Sequence, residues 1–326
     1  MPAVSSHLSL VAAALAIEAL FGYPDRFYAA VRHPVVWIGA LIARLDAGLN
    51  RDGARPAVRR AAGVAAVVVL LSVSAGAGWV VSAVLGTVPG GWLVEAALAS
   101  TLLAQRSLHR FVAAVPQALR TGGLEAGRLA VRHIVGRNPA TLDEPAVARA
   151  AVESLAENFS DGVVAPALWL ALFGLPGLLA YKAVNTADSM IGHRTPRHEA
   201  FGWAAARLDD AMNLPASRLT GAVLAVAAAL LPGADPRTAW SAMRRDASRH
   251  RSPNAGWPEA AMAGALGLRL GGPRTYGDVR VEDAWMGAGR AGLTADDIDR
   301  ALALYRRAAG LLWGLLAGLA VGVSRV

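Results

Sequence analysis

Long apolar runs alternate with short arginine-rich segments along this chain. Leu8 to Phe21 is uncharged except for Glu18, and no Lys or Arg precedes it. A secretory signal carries positive charge there, so the run reads as a retained first span or half-span. Tyr23 to Arg60 carries Arg26, Arg32, Arg44, Arg51, Arg55, Arg59 and Arg60. Basic segments beside spans stay in the cytoplasm, which puts the N-terminus outside. Ala61 to Val88 holds no charged residue. It exceeds the ~20 residues that cross a bilayer and is the surest span. Pro89-Gly90-Gly91 reads as a turn. Trp92 to Ala104 then runs back, with Trp92 at the interface and Arg106, His109 and Arg110 marking the exit.

Residues 105–160 are more polar and read as a cytoplasmic helical insertion. Breaks are expected at Thr121-Gly122-Gly123 and at Arg137-Asn138-Pro139. Asp143-Glu144-Pro145 opens a helix, with acids in its first turn and proline near its start, that should reach about Asn158. Gly162 to Val184 is apolar apart from Lys182 but is interrupted at Phe173–Gly177. Both flanks are charged, so the stretch is expected to turn back as two re-entrant half-helices hinged at Gly174 and Pro176. Such broken backbone survives only where it is buried or lines a polar cavity. Leu219 to Leu231 is a short apolar run ended by Pro232. Arg237 to Arg251 is basic, and Trp257 to Leu270 is short and rich in small residues. Residues 271–307 form a polar loop and helix, opened by a capping box at Thr294-Ala295-Asp296-Asp297 and reaching about Arg307. Ala308 to Val323 is a last span. The pattern predicts an all-α, polytopic integral membrane helical bundle, one membrane-embedded domain over residues 1–326.

Composition agrees with this reading. Apolar side chains make up 55% of the chain and charged ones 17%, against about 25% charged in soluble domains. Mean hydropathy is +0.39. A disordered chain is thereby excluded. Cysteine is absent, which removes disulfides, thiolate nucleophiles and Cys-ligated metal. The net charge is +8 and Lys182 is the only lysine. Arginine on a membrane protein suits loops facing anionic lipid, and no aromatic-interleaved basic patch points to nucleic acid.

Four polar clusters could carry chemistry. In the first, Glu153, Glu157 and Asp161 fall at i, i+4 and i+8, which on a continuous helix is one face. With Asn158 they offer the oxygen ligands that Mg²⁺ prefers, although the same run reads as a solvated face. In the second, Lys182, Asn185 and Asp188 share a helical face directly beside apolar sequence, where ionisable groups must meet one another or water. A structural Lys182–Asp188 pair and a site taking phosphate on Lys182 and metal on Asp188 both fit. The third runs from Phe201 to Leu219 and places Arg207, Asp210 and Asn213 on one face, with Asp209 and Arg218 beside them. Planar guanidinium forks grip phosphate or carboxylate, while Arg218 also suits interfacial anchoring. The fourth, Ser252-Pro253-Asn254-Ala255-Gly256-Trp257-Pro258-Glu259, is a loop that puts Asn254 and Glu259 beside a short helix. Gly287-Ala288-Gly289-Arg290-Ala291-Gly292 fits G-x-G-x-x-G but follows no βαβ pattern, so it carries no dinucleotide reading. No HExxH, P-loop or G-x-S-x-G is present.

Several segments, taken in order, resemble the CobD/CbiB family of cobalamin biosynthesis. They are His33-Pro34-Val35 with Ile38-Gly39, Glu157–Gly162, Tyr181–Met190, Phe201-Gly202-Trp203 with Arg207–Asp210, and Ser252–Glu259. The resemblance implies an adenosylcobinamide-phosphate synthase in the bacterial inner membrane, its site facing the cytoplasm. Such an enzyme joins aminopropanol or aminopropanol phosphate to adenosylcobyric acid, with ATP as co-substrate and Mg²⁺. On that reading Glu153, Glu157, Asp161 and Asp188 hold metal, and Asp161, Lys182, Asp188, Asp209 and Asp210 are catalytic. Asn158, Asn185, Arg207, Asn213, Arg218, Asn254 and Glu259 bind substrate. The lipid bilayer is the surrounding partner; a homo-oligomer or a complex with other pathway enzymes is left open. The residues alone leave two other readings: a membrane corrinoid-binding or transport protein, and a Mg-diphosphate-dependent membrane transferase. Asp161, Lys182, Asp188 and Arg207 are expected to gather in one pocket.

Overall fold

The computed structural model describes residues 2–22, 32–136, 138–276 and 279–324. Arg26 and Arg137, named above, lie outside them. The chain forms two compact units: residues 1–104, 165–213 and 316–326, and residues 105–164 and 214–315.

The first unit begins with α1 (Pro2–Phe21), α2 (Pro34–Leu49), α3 (Pro56–Gly86) and α4 (Gly91–Ser100). It continues with α7 (Ala165–Ile191) and the first part of α8 (Trp203–Ala228). Pro34 and Pro56 open α2 and α3 in their first turns, where a missing N–H costs nothing. Gly90 has φ +76° and starts α4 after the expected turn. α3 has a mean hydropathy of 2.3 over its most apolar stretch, and only 28% of that stretch is buried. Val68, Val73, Trp79, Val80 and Val84 are exposed along it. Its inner face packs Ala66, Val67 and Leu70 onto Ile38, Ile42, Ala183, Ala187 and Phe201. The contact is close because Gly63 has no side chain: a Cβ there would lie 1.9 Å from the Phe201 carbonyl oxygen.

α7 is broken at Gly174, whose φ of 64° and ψ of −158° are not helical. The hinge expected between Phe173 and Gly177 is therefore present. It divides the run into two segments, each shorter than the ~20 residues of a straight span.

The second unit contains α5 (Gln105–Val131), α6 (Glu144–Phe159), the rest of α8, α9 (Pro236–Asp246), α10 (Gly256–Leu266) and most of α11 (Ala295–Ser324). α5 kinks at Gly123, where φ is 68°. Asp143 caps α6 by accepting the Ala146 N–H at 2.9 Å, and the helix ends one residue beyond the expected Asn158. At its core Tyr305 meets Phe159 edge-on at 4.9 Å and donates to the Gln105 carbonyl.

Four expectations need correction. The 219–231 run is not a separate element: α8 continues from Trp203 through Pro215 to Ala228. The 295–307 helix and the last span are likewise one helix, capped by Asp297 accepting the Thr294 N–H. Between α10 and α11 lie two small antiparallel ladders. β1 (Leu270–Gly271) pairs with β4 (Trp285–Met286), and β2 (Arg274–Tyr276) pairs with β3 (Val279–Val281). Finally, Ser160–Val164 is a π-helical turn. It adds residues to the turn and rotates Asp161 away from the α-helical register that i+8 spacing assumed.

Among the described residues, three helical stretches are long and apolar enough to cross a membrane: Pro56–Gly86, Glu144–Ile191 and Ala295–Gly322. The chain is an all-α membrane protein.

Candidate functional site

The first unit gathers the second cluster and the part of the third that ends at Asn213. Beyond Gly174, α7 presents Tyr181, Asn185 and Asp188 at i, i+4 and i+7, on one face. α8 answers with Asp209 and Asn213, one turn apart. Asn185 Nδ2 donates to Asp209 Oδ1 at 3.3 Å, and Asn213 Nδ2 donates to Asp209 Oδ2 at 3.0 Å. The Tyr181 hydroxyl donates to Asn213 Oδ1 at 2.9 Å. Tyr181 and Asn213 are fully buried, at 0% and 1% exposure. This chain holds Asp209 in place from two sides. Burial, and after it the charge of Asp188, push the Asp209 carboxyl up to about 6, against the lowering effect of its two amide donors. Arg207 pairs with Asp210 at 3.2 Å.

Lys182 lies near His33, the residue that opens α2. His33 Nδ1 accepts the Val35 N–H at 3.2 Å. Burial holds the His33 imidazole below its usual value, and the Lys182 charge adds to that, over the opposing hydrogen bond with the Thr101 backbone. A neutral imidazole fits this capping role, since a charged ring has no lone pair to accept with.

The second unit holds the remaining candidates. Glu153 is buried, and its Oε1 accepts the Gly271 N–H at 2.7 Å, tying α6 to β1. Glu157 is exposed and Asp161 half-buried. Asn158 donates to the Ser154 carbonyl at 2.9 Å. In the fourth cluster Asn254 Oδ1 accepts from Ser217 at 3.2 Å, inside the protein. The Arg218 guanidinium lies 4.7 Å over the Trp257 ring and donates to the Leu214 carbonyl. Buried Glu259 stands 3.7 Å from His250 Nε2. Asp246, also buried, is held below the carboxylate range despite its burial, by Arg245 and by the Gly287 N–H at 2.9 Å. The G-x-G-x-x-G lookalike therefore closes a packing contact: a Cβ at Gly289 would lie 1.9 Å from the Gly267 carbonyl.

Lys182, Asn185, Asp188, Arg207, Asp209, Asp210 and Asn213 thus belong to one unit. Glu153, Glu157, Asn158, Asp161, Arg218, Asn254 and Glu259 belong to the other. His33 and Tyr181 stood in the resembling segments without a role assigned to them, and Ser217 was not singled out from the sequence. Tyr181 had a signal, its position one turn before Asn185 at the edge of apolar sequence. Ser217 is an ordinary small residue next to Arg218 and had none.

Among the described residues no three His, Asp or Glu side chains stand as a ready-made metal cage. Asp188, Asp209 and Asp210 nonetheless bring carboxylate oxygens near one another, while the Asn185 and Asn213 amides turn their nitrogens to Asp209. That fits Mg²⁺, which keeps waters and binds through one or two carboxylates plus substrate phosphates.

A family model described as CobD/Cbib protein matches residues 11–305. The chain is 52% identical over 319 residues to a cobalamin biosynthesis protein CobD of a Sinorhizobium species, covering 96% of this chain and 98% of that protein. It is 53% identical to the protein of that name from Sinorhizobium fredii over 300 residues, covering 90% and 91%. The Rhodobacter capsulatus protein of the same name is 50% identical over 308 residues, covering 92% and 93%. No solved structure matches.

Proposed function

The chain belongs to the CobD/CbiB family of cobalamin biosynthesis, and from that premise we propose that it joins aminopropanol, or its phosphate, to a propionate carboxylate of adenosylcobyric acid with cleavage of ATP. The Asp209 cluster carries this reading, because it sets a carboxylate with a raised pKa between two amide donors and beside the acids Asp188 and Asp210. A carboxylate at neutral pH is a poor electrophile, so it must be activated. Its oxygen attacks the γ-phosphorus of ATP; an O–P bond forms and ADP leaves. The neutral amine then attacks the acyl carbon; a C–N bond forms, phosphate leaves and the nitrogen loses a proton.

Asp209 is placed to take that proton, its affinity tuned toward working pH. Lys182 and Arg207 bind phosphate charge. Asp188 would hold Mg²⁺ together with the substrate phosphates, and the ion would neutralise charge on them. Tyr181 and Asn213 keep Asp209 oriented. We place this cluster and the arginine-rich segments on the cytoplasmic side of the bacterial inner membrane.

Purified protein incubated with adenosylcobyric acid, aminopropanol phosphate or aminopropanol, and Mg-ATP should yield the amide by mass, with one ADP per product. Corrinoid binding without ADP release would overturn the reading in favour of a carrier. Turnover only with a diphosphate-bearing lipid would overturn it in favour of a transferase.

A further inference from the structure

Within the first unit, α3 and the start of α8 leave a groove between them, with a volume of about 390 Å³. α3 lines it with Val64, Val68 and Leu71. With Arg60 these residues fall at i, i+4, i+8 and i+11, on one helical face. α8 supplies the other wall through Ala204, Leu208 and Ala211, where two alanines keep the wall low. Val67, 7% exposed, lines the floor. The groove is thus built from two helices over a buried base.

A cation and an indole stand at its rim. The Arg60 guanidinium lies 5.2 Å over the Trp203 ring, and Trp203 is 43% exposed. The ring holds Arg60 by cation–π attraction. Arg60 makes no hydrogen bond or ion pair among the described residues, so its N–H donors are unspent. Arg207 also borders the groove, but it is turned to Asp210 at 3.2 Å.

The setting decides what such a shape takes. α3 is a span, and Val64 and Val68 are exposed on it. From Arg60 to Leu71 the helix rises about 16 Å at 1.5 Å per residue, which is about half of a ~30 Å hydrocarbon core. The trough is therefore one leaflet deep, with arginine and tryptophan at the depth of the headgroups. A phospholipid matches both parts, its phosphate on the guanidinium fork and one chain below. A second copy of the chain matches less well. No carboxylate lines the groove, so a two-fold partner would bring a second arginine to the same depth with no acid to meet it.

We propose that the α3–α8 groove binds an anionic glycerophospholipid of the cytoplasmic leaflet, with its phosphate on Arg60 beside Trp203 and one acyl chain along Val64, Val68 and Leu71. The site stands apart from the proposed reaction and does not depend on it.

Native mass spectrometry of the full-length protein in detergent tests this. The protein is titrated with phosphatidylglycerol and, separately, with phosphatidylcholine carrying the same chains. The parent should retain one phosphatidylglycerol at least about fivefold more tightly, the worth of one arginine near anionic lipid. Arg60→Ala should bring the two lipids level. Val68→Trp, at a position 55% exposed, should fill the trough and weaken both. Arg55→Ala removes an exposed arginine at the same helix end but outside the groove, and it should change nothing. Equal retention of the two lipids by the parent overturns the site. So does an Arg55→Ala effect as large as that of Arg60→Ala, because the preference then belongs to the basic interface at large. A dimeric parent that becomes monomeric in Val68→Trp overturns it too, by placing a second copy in the groove. Amide formation is not read in any arm, so failure of the proposed reaction and failure of the lipid site are told apart.

Discussion

Asp209 is the residue on which pH acts most directly. Its folded pKa of about 6 lies above the ordinary carboxylate value, chiefly through burial. As a base it works only when ionised, so amide formation should rise with pH through about 6 and level off above. Asp209→Asn should remove that limb and slow the reaction by about 10²–10⁴-fold, the usual worth of a positioned base. The same shift has an opposite consequence for stability. A carboxyl with a raised folded pKa favours the fold while protonated, and that contribution is lost as pH rises through about 6. Asp209→Asn should therefore melt higher than the parent protein at pH 8 while being nearly inactive. A melting temperature that falls would mean that the side chain is structural. Lys182→Met should abolish product and leave membrane insertion intact; turnover like the parent's would remove Lys182 from the mechanism.

Elements were legible where one local rule governs them. Asp143-Glu144-Pro145, Thr294–Asp297 and Pro89–Gly91 each carry the chemistry of a helix end or a turn, and each stands where that chemistry says. α8 was harder. Pro215 and a change from polar to apolar composition suggest a boundary, yet the helix runs through both. The π turn at Ser160–Val164 leaves no signature in residue type, and it is what unmakes the i, i+4, i+8 face. The Glu153 contact with Gly271 joins residues far apart in the chain, which periodicity cannot show.

The Gly174 hinge was legible, and it can be tested. Its φ and ψ lie in a region open in practice to glycine alone. An added Cβ would also sit 2.9 Å from His7 Nε2. Gly174→Ala should cost about 1–3 kcal/mol in detergent-solubilised thermal melts. Gly76→Ala in α3, where a Cβ would meet nothing within 4 Å, should be neutral or stabilise by roughly 0.5–1 kcal/mol. Equal effects at the two positions would show that Gly174 is not a hinge.

At the scale of the molecule, the charge pattern and the exposed apolar surface make one joint claim. The outer face of α3 leaves Val68, Val73, Trp79 and Val84 uncovered, which in water would be a large apolar patch and in lipid is the ordinary surface of a span. Arg55, Arg59 and Arg60 stand at one end of that helix, and Val88-Pro89-Gly90 at the other. Basic residues stay on the cytoplasmic side, so the two ends of α3 should differ in access. The chain has no cysteine, which makes every introduced thiol the sole reporter. In intact cells Val88→Cys should react with a membrane-impermeant maleimide. Arg55→Cys and Arg237→Cys should react only after permeabilisation. Labelling of Arg237→Cys from outside would place α9 away from the cytoplasm. Labelling of Val88→Cys only after permeabilisation, with Arg55→Cys open from outside, would invert the span.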